Sequence, residues 1–233
     1  MAPIAAVFLD VGNTLVGMDF DLLCEILAGH GVRTETAPLA RAEAAARPAL
    51  SRYLASVSTE ASDTFTFYLR SVLHALGGDA AAICDRLAPP LAAEVRRTIA
   101  TQRLWSHVLP GVPETLAALR ASGRTLVVVS NSDGTVEEGL EALGLRQHLH
   151  HVVDSAVIGV EKPDPAIFRH ALAAAGCRAE ATLHVGDLYA VDVLGARAAG
   201  IEAVLLDPYG DWPDVDCERA PDLPSVARRL LEA

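Results

Sequence analysis

Aromatic residues are scarce in this 233-residue chain, at 5% of positions. Its core must therefore be built from Ala, Val, Leu and Ile, within a hydrophobic share of 51%. Cations are also short. Nineteen Lys and Arg face 30 Asp and Glu, which leaves a formal net charge of -11 and a pI of about 5.1. That balance excludes sequence-independent nucleic-acid binding, which needs a basic face. It also requires any phosphate site to be locally positive. Cysteine is limited to Cys24, Cys84, Cys177 and Cys217, with no CxxC pair and no His at zinc spacing. Reduced structural thiols in a cytoplasmic protein are expected. No apolar run reaches the roughly 18 residues that a membrane helix needs, so no membrane partner is expected. The opening MAPIAAVFLD has no basic stretch ahead of its apolar run and does not read as a signal peptide. No internal repeat is evident. The length suits one α/β domain with a smaller insertion.

Five short apolar runs, at residues 4–9, 125–129, 151–153, 182–185 and 203–206, each end in a polar or Gly-containing turn. From the second run onward, helical pattern separates them. Near-continuous apolar strands alternating with helices predict a parallel sheet with helices on both faces. Helices are expected over 113–121, 135–143 and 165–175, each with Gly just past its end. More than a hundred residues separate the first run from the second, far beyond the roughly 12–15 of a structureless loop. Ala- and Leu-rich helical spacing at 20–27, 39–57, 64–76, 80–87 and 91–99 predicts an inserted helical bundle. The expected division is a core of 1–18 and 106–233 and a cap of 19–105. Residues 207–224, rich in Pro and Asp, are expected to form a surface loop before a last helix at 225–231.

In an open parallel sheet, ligands bind at the carboxyl ends of the strands. The first strand is followed by Asp10, in FLDVGNTL, and the second by Ser130 and Asn131, in VVVSNSDG. Lys162 follows the third, in GVEKPDP, and Asp187 and Asp192 follow the fourth, in HVGDLYAVD. One edge thus receives a carboxylate, a hydroxyl with an amide, a cation, and a carboxylate pair. Each of these residues also has a structural use. Asp187 and Asp192 suit helix N-caps, Ser130 and Asn131 could cap the following helix, and Lys162 could be a loop lysine.

The four segments in this order resemble the four motifs of the haloacid dehalogenase superfamily, and the helical insert resembles its first cap class, subfamily I. The resemblance implies a Rossmann-like α/β core of five main strands with a cap. It implies a hydrolase that acts on a small phosphorylated metabolite through an aspartyl-phosphate, with Asp10 as nucleophile. Two anions must then meet, so a cation is needed, and Mg2+ suits hard oxygen ligands. The resemblance makes Asp10, Asp187 and the Gly12 carbonyl metal ligands, with Asp192 ligating through water or orienting the others. Ser130 and Asn131 would donate to phosphoryl oxygens. Lys162 would bind phosphate and keep Asp10 ionised, and the Thr14 hydroxyl would brace the turn.

One departure matters. Phosphatases of the superfamily usually carry a second Asp two positions after the nucleophile, as general acid and base. Here that position is Gly12. General acid–base help is worth about 10²–10⁴ in rate. Asp19 is the candidate substitute, with Asp21 and His30 also in the nearby insert, although Asp19 equally suits an N-cap for the helix near residue 20. Two alternatives follow: a 2-haloacid dehalogenase, which needs neither the second Asp nor metal, or a catalytically impaired phosphate-binding regulatory protein. His107, His148, His150 and His151 are not expected to bind metal.

Overall fold

The computed structural model describes residues 3–57, 63–99 and 104–232. The chain forms two compact units, one of Met1–Gly17 with Val108–Ala233 and one of Met18–His107. The first is a doubly wound α/β unit. Its strands are β1 (Ala6–Leu9), β4 (Thr125–Ser130), β5 (His151–Asp154), β6 (Thr182–Gly186), β7 (Glu202–Leu206) and β8 (Glu218–Ala220), in the order β5-β4-β1-β6-β7-β8. A separate two-stranded ribbon pairs β2 (Val16–Met18) with β3 (Trp105–Val108), where the chain leaves and re-enters this unit.

All neighbours in the six-stranded sheet are parallel. Leu9 lies opposite Val128 on one side and Val185 on the other. All four residues of β1 are fully buried, which is why its sequence is a continuous apolar run. On one face Phe8, Val127 and Val129 join Ile167 and Phe168 of helix α8 (Pro165–Ala175), together with Val193 and Trp212. Helices α5 (Val112–Ala121) and α10 (Leu223–Glu232) pack together, with α5 also against β4. Burial of a side chain such as Phe8 contributes about 1.5–3 kcal/mol.

The sheet has six strands rather than five. Within the expected loop, Glu218–Ala220 pairs with β7 as an edge strand. Two of its three side chains are exposed, so it carries no apolar signal. Asp207 closes the intervening loop, accepting from the Asp211 N–H at 2.8 Å and from the Arg219 guanidinium at 2.9 Å.

The second unit contains helices α1 (Phe20–Gly29), α2 (Thr36–Leu54), α3 (Thr64–Leu76) and α4 (Gly78–Ile99). Two helices were expected where α4 runs unbroken through Pro89 and Pro90. Prolines in a helix interior cost about 3 kcal/mol or more. Here Ala88, Leu91, Ala92 and Val95 form a buried stripe, and α4 packs against α3, which offsets that cost. Between α2 and α3, buried Glu43 accepts from Arg47 Nε at 3.0 Å and from the Tyr68 hydroxyl at 2.7 Å. No helix of the described residues is long and apolar enough to cross a membrane.

Candidate functional site

The chain builds the sheet outward from β1 to one side through β4 and β5, then returns to the other through β6, β7 and β8. Such a reversal places a crevice at the carboxyl ends of the central strands. Asp10 follows β1 directly, and its N–H donates to the Val185 carbonyl at 2.9 Å. Asp187 directly follows β6, the neighbouring strand. Asp10 and Asp187 therefore stand at the same end of adjacent parallel strands.

After Asp10 the backbone folds into a tight turn. The Leu15 and Val16 N–H groups donate to the Val11 carbonyl at 2.9 and 3.0 Å, and the Asn13 N–H donates to the Val16 carbonyl at 2.8 Å. The Thr14 hydroxyl, expected to brace this turn, is buried without a hydrogen-bond partner among the described residues. Backbone bonds do that work instead. The Asn13 side chain reaches across to β6, where Nδ2 donates to Asp187 Oδ2 at 3.0 Å.

Lys162 is 2% exposed, and its ammonium donates to Asp10 Oδ1 at 2.6 Å and to Asp192 Oδ1 at 2.8 Å. Its backbone is clasped at both ends by Asn131. The Lys162 N–H donates to Asn131 Oδ1 at 2.7 Å, and Asn131 Nδ2 donates to the Lys162 carbonyl at 2.8 Å. The clasp takes one of the two Asn131 Nδ2 hydrogens. Ser130 closes β4 and is buried opposite Asp154. Asp154 accepts from the Gly134 and Ala156 N–H groups at 3.1 and 3.0 Å, which ties the loop after Ser130 to β5.

Asp192 lies in a π-helical turn, Tyr189–Val193, just ahead of helix α9 (Leu194–Ala198). Its Oδ2 accepts from the Leu188 N–H at 3.0 Å, and Oδ1 accepts from Lys162 and is 3.0 Å from His184 Nε2. A proton on Nε2 makes that contact a hydrogen bond and leaves Nδ1 buried without a partner among the described residues. His184 is fully buried and meets Phe168 edge to face, with centroids 5.0 Å apart. It went unnoticed in the sequence because it occupies an apolar strand position. Its only sign was a polar residue in a run otherwise facing the core.

Two glycines permit this packing. A Cβ on Gly186 would lie 2.2 Å from Asp192 Cγ. One on Gly195 would lie 2.9 Å from the Cα of Pro163, the residue after Lys162.

The charges are strongly coupled. Burial raises the Asp10 carboxyl pKa, Lys162 opposes this and Asp192 adds to it, leaving the pKa above the ordinary value. Burial lowers the Lys162 pKa, but Asp10 and Asp192 overcome it and hold the ammonium more basic than usual. Burial likewise raises the Asp192 pKa, but Lys162 and His184 outweigh it, keeping this carboxyl well below its usual range.

The cluster sets three carboxyl groups, those of Asp10, Asp187 and Asp192, against the single ammonium of Lys162, a surplus of acidic groups. That surplus, the hard oxygens of Asp10 and Asp187, and a backbone carbonyl at Gly12 fit a divalent cation such as Mg2+, which retains several waters. Among the described residues no three His, Cys, Asp or Glu side chains converge as a metal cage. A cation here would rest on two carboxylates and backbone oxygen.

Asp19 belongs to the second unit and caps α1, its Oδ1 accepting from the Leu22 N–H at 2.9 Å. In the same unit, His30 Nε2 lies 2.7 Å from Glu94 Oε2. His150 accepts from the Leu126 N–H near the start of β4, the end opposite the candidate site.

The chain matches the haloacid dehalogenase-like hydrolase family profile over residues 4–200. It is 39% identical over 117 residues to haloacid dehalogenase-like hydrolase domain-containing protein 3 of Bos taurus, covering 50% of this chain and 46% of that protein. It is 37% identical over 137 residues to a phosphoserine phosphatase of Thermus thermophilus, covering 58% of this chain and 54% of the relative. The matched stretch thus spans about half the length of these relatives. The fold is similar to that of the magnesium-bound HAD hydrolase YfnB of Bacillus subtilis, with a TM-score of 0.63, 17% identity, and coverage of 98% of this chain and 99% of that one.

Proposed function

Because this chain belongs to the haloacid dehalogenase-like hydrolases, we propose that it is a Mg2+-dependent phosphatase of a small phosphorylated metabolite, with Asp10 as nucleophile. The carrying observation is the buried chain from Asp10 through Lys162 to Asp192, set beside Asp187 at one sheet edge. The phosphatase named among its relatives supports the substrate class.

In this reading an Asp10 carboxylate oxygen attacks phosphorus. A bond from Asp10 to phosphorus forms as the bond to the leaving oxygen breaks, and water later hydrolyses the aspartyl-phosphate. Lys162 keeps Asp10 charged and neutralises a phosphoryl oxygen. Ser130 donates to a second phosphoryl oxygen, while Asn131 positions the Lys162 backbone and offers a further donor to phosphate. Asp10, Asp187 and the Gly12 carbonyl would hold Mg2+. When bound, the ion neutralises the charge between two approaching anions. Asp192, with both oxygens engaged by protein donors, orients Lys162.

Gly12 supplies no acid for the leaving oxygen, so substrates with good leaving groups are favoured unless another group donates. Asp19 is the substitute candidate, with Oδ1 engaged in its N-cap bond. The second unit serves as the helical cap that selects the substrate. The four free thiols fit a reducing compartment, so we assign the protein to the cytoplasm.

Turnover of a phosphate-ester panel, measured with Mg2+ and with EDTA on wild type and Gly12→Asp, tests this reading. Mg2+-dependent hydrolysis that increases in Gly12→Asp is the expected result, and turnover indifferent to EDTA would overturn it. Gly12 also favours a second reading, displacement of halide from a 2-haloacid by Asp10, because halide leaves without a proton. Chloride release from 2-chloropropionate in EDTA would establish that one instead.

A further inference from the structure

Asn13 is the only non-glycine residue with a positive φ among the described residues, at 52°. That left-handed conformation is disfavoured for most side chains, tolerated by Asn, and adopted freely by Gly. Backbone bonds among Val11, Asn13, Leu15 and Val16 close the turn. The side chain is instead carried across 174 sequence positions to Asp187, where Nδ2 donates to Oδ2 at 3.0 Å.

We propose that Asn13 is a positioning residue. By holding one oxygen of Asp187, it fixes how that carboxylate faces a divalent cation shared with Asp10. The inference rests on the metal-dependent reading above. The residue type suits the task. An amide donates to a carboxylate without adding charge, whereas Lys would compete with a cation and Asp would repel Asp187. Gly would fit the backbone better but has no donor. The sequence therefore tolerates a less comfortable backbone in return for this hydrogen bond. Partners that orient metal-binding side chains in this way typically contribute 10–100-fold to metal affinity.

The test is calorimetric titration of Mg2+ into the EDTA-stripped full chain, with a thermal melt in the absence of metal. Asn13→Gly relieves the backbone and removes the donor. It is expected to keep or raise the metal-free Tm while weakening Mg2+ binding about 10–100-fold. Asn13→Ala removes the donor but keeps the unfavourable φ. It should show the same affinity loss with a Tm about 2–4 °C below that of Asn13→Gly. A purely structural role would move Tm and leave affinity alone. If wild type binds Mg2+ and Asn13→Gly binds it equally well, the positioning role is overturned and the metal-dependent reading survives. If wild type itself binds no Mg2+, both are overturned.

Discussion

Replacing Lys162 with Met removes the one cation that joins Asp10 and Asp192, while the similar length of the Met side chain largely fills the space. The ammonium donates to both carboxylates, at 2.6 and 2.8 Å, from a position 2% exposed. Removing one partner of such a buried pair costs about 3–5 kcal/mol, because the remaining charge stays desolvated. For a chain of this size that corresponds to a Tm lowered by about 6–20 °C. The deficit should depend on pH. In the wild type the Asp192 pKa is depressed, so its contribution is present above the unfolded carboxylate value of about 3.9 and is lost only as pH falls through a lower folded value. Without Lys162, burial is left as the dominant influence on Asp10, which already titrates above the unfolded value in the wild type, and its unfavourable contribution grows as pH rises from the unfolded value to the raised folded one and levels off above it. Urea unfolding in EDTA at pH 5 and at pH 8 should therefore show the larger gap between wild type and Lys162→Met at pH 8. A loss below about 1 kcal/mol, the size of an exposed pair, or a gap indifferent to pH would refute the coupled cluster.

Gly186→Ala would drive a Cβ to 2.2 Å from Asp192 Cγ. Overpacking of this kind costs about 1–3 kcal/mol, and denaturant unfolding should register it. His184→Phe keeps a buried ring against Phe168 but withdraws a donor from Asp192. Equilibrium unfolding should show a loss of about 1–3 kcal/mol, and an unchanged midpoint would mean that Leu188 and Lys162 hold Asp192 unaided.

The sequence revealed most where local pattern and tertiary role agree. β1, β4, β6 and β7 are apolar runs because parallel strands are buried on both faces, and the polar residues just after them mark the carboxyl edge. Asp10, Ser130 and Asp187 stood out for that reason. What stayed hidden depends on contacts distant in sequence. β8 is held by pairing with β7 rather than by its own composition. α4 continues through Pro89 and Pro90 because its buried stripe outweighs their cost. His184 looked like a core position, and only the fold brings it to Asp192. The clasp of Asn131 on the Lys162 backbone is likewise visible only in the fold. Glu43 and Arg47 sit at helical spacing like a surface pair, and only the packing of α2 on α3 buries them with Tyr68.

The central claim is that Asp10 forms a covalent bond to phosphorus. Rapid acid quench of the Mg2+-loaded protein with acetyl phosphate, followed by peptide mass spectrometry, tests it directly. The account predicts a phosphoryl group on the peptide that carries Asp10, absent from Asp10→Asn and from protein treated with EDTA. Hydrolysis that persists in Asp10→Asn, or a phosphoryl group found on another residue, would contradict it.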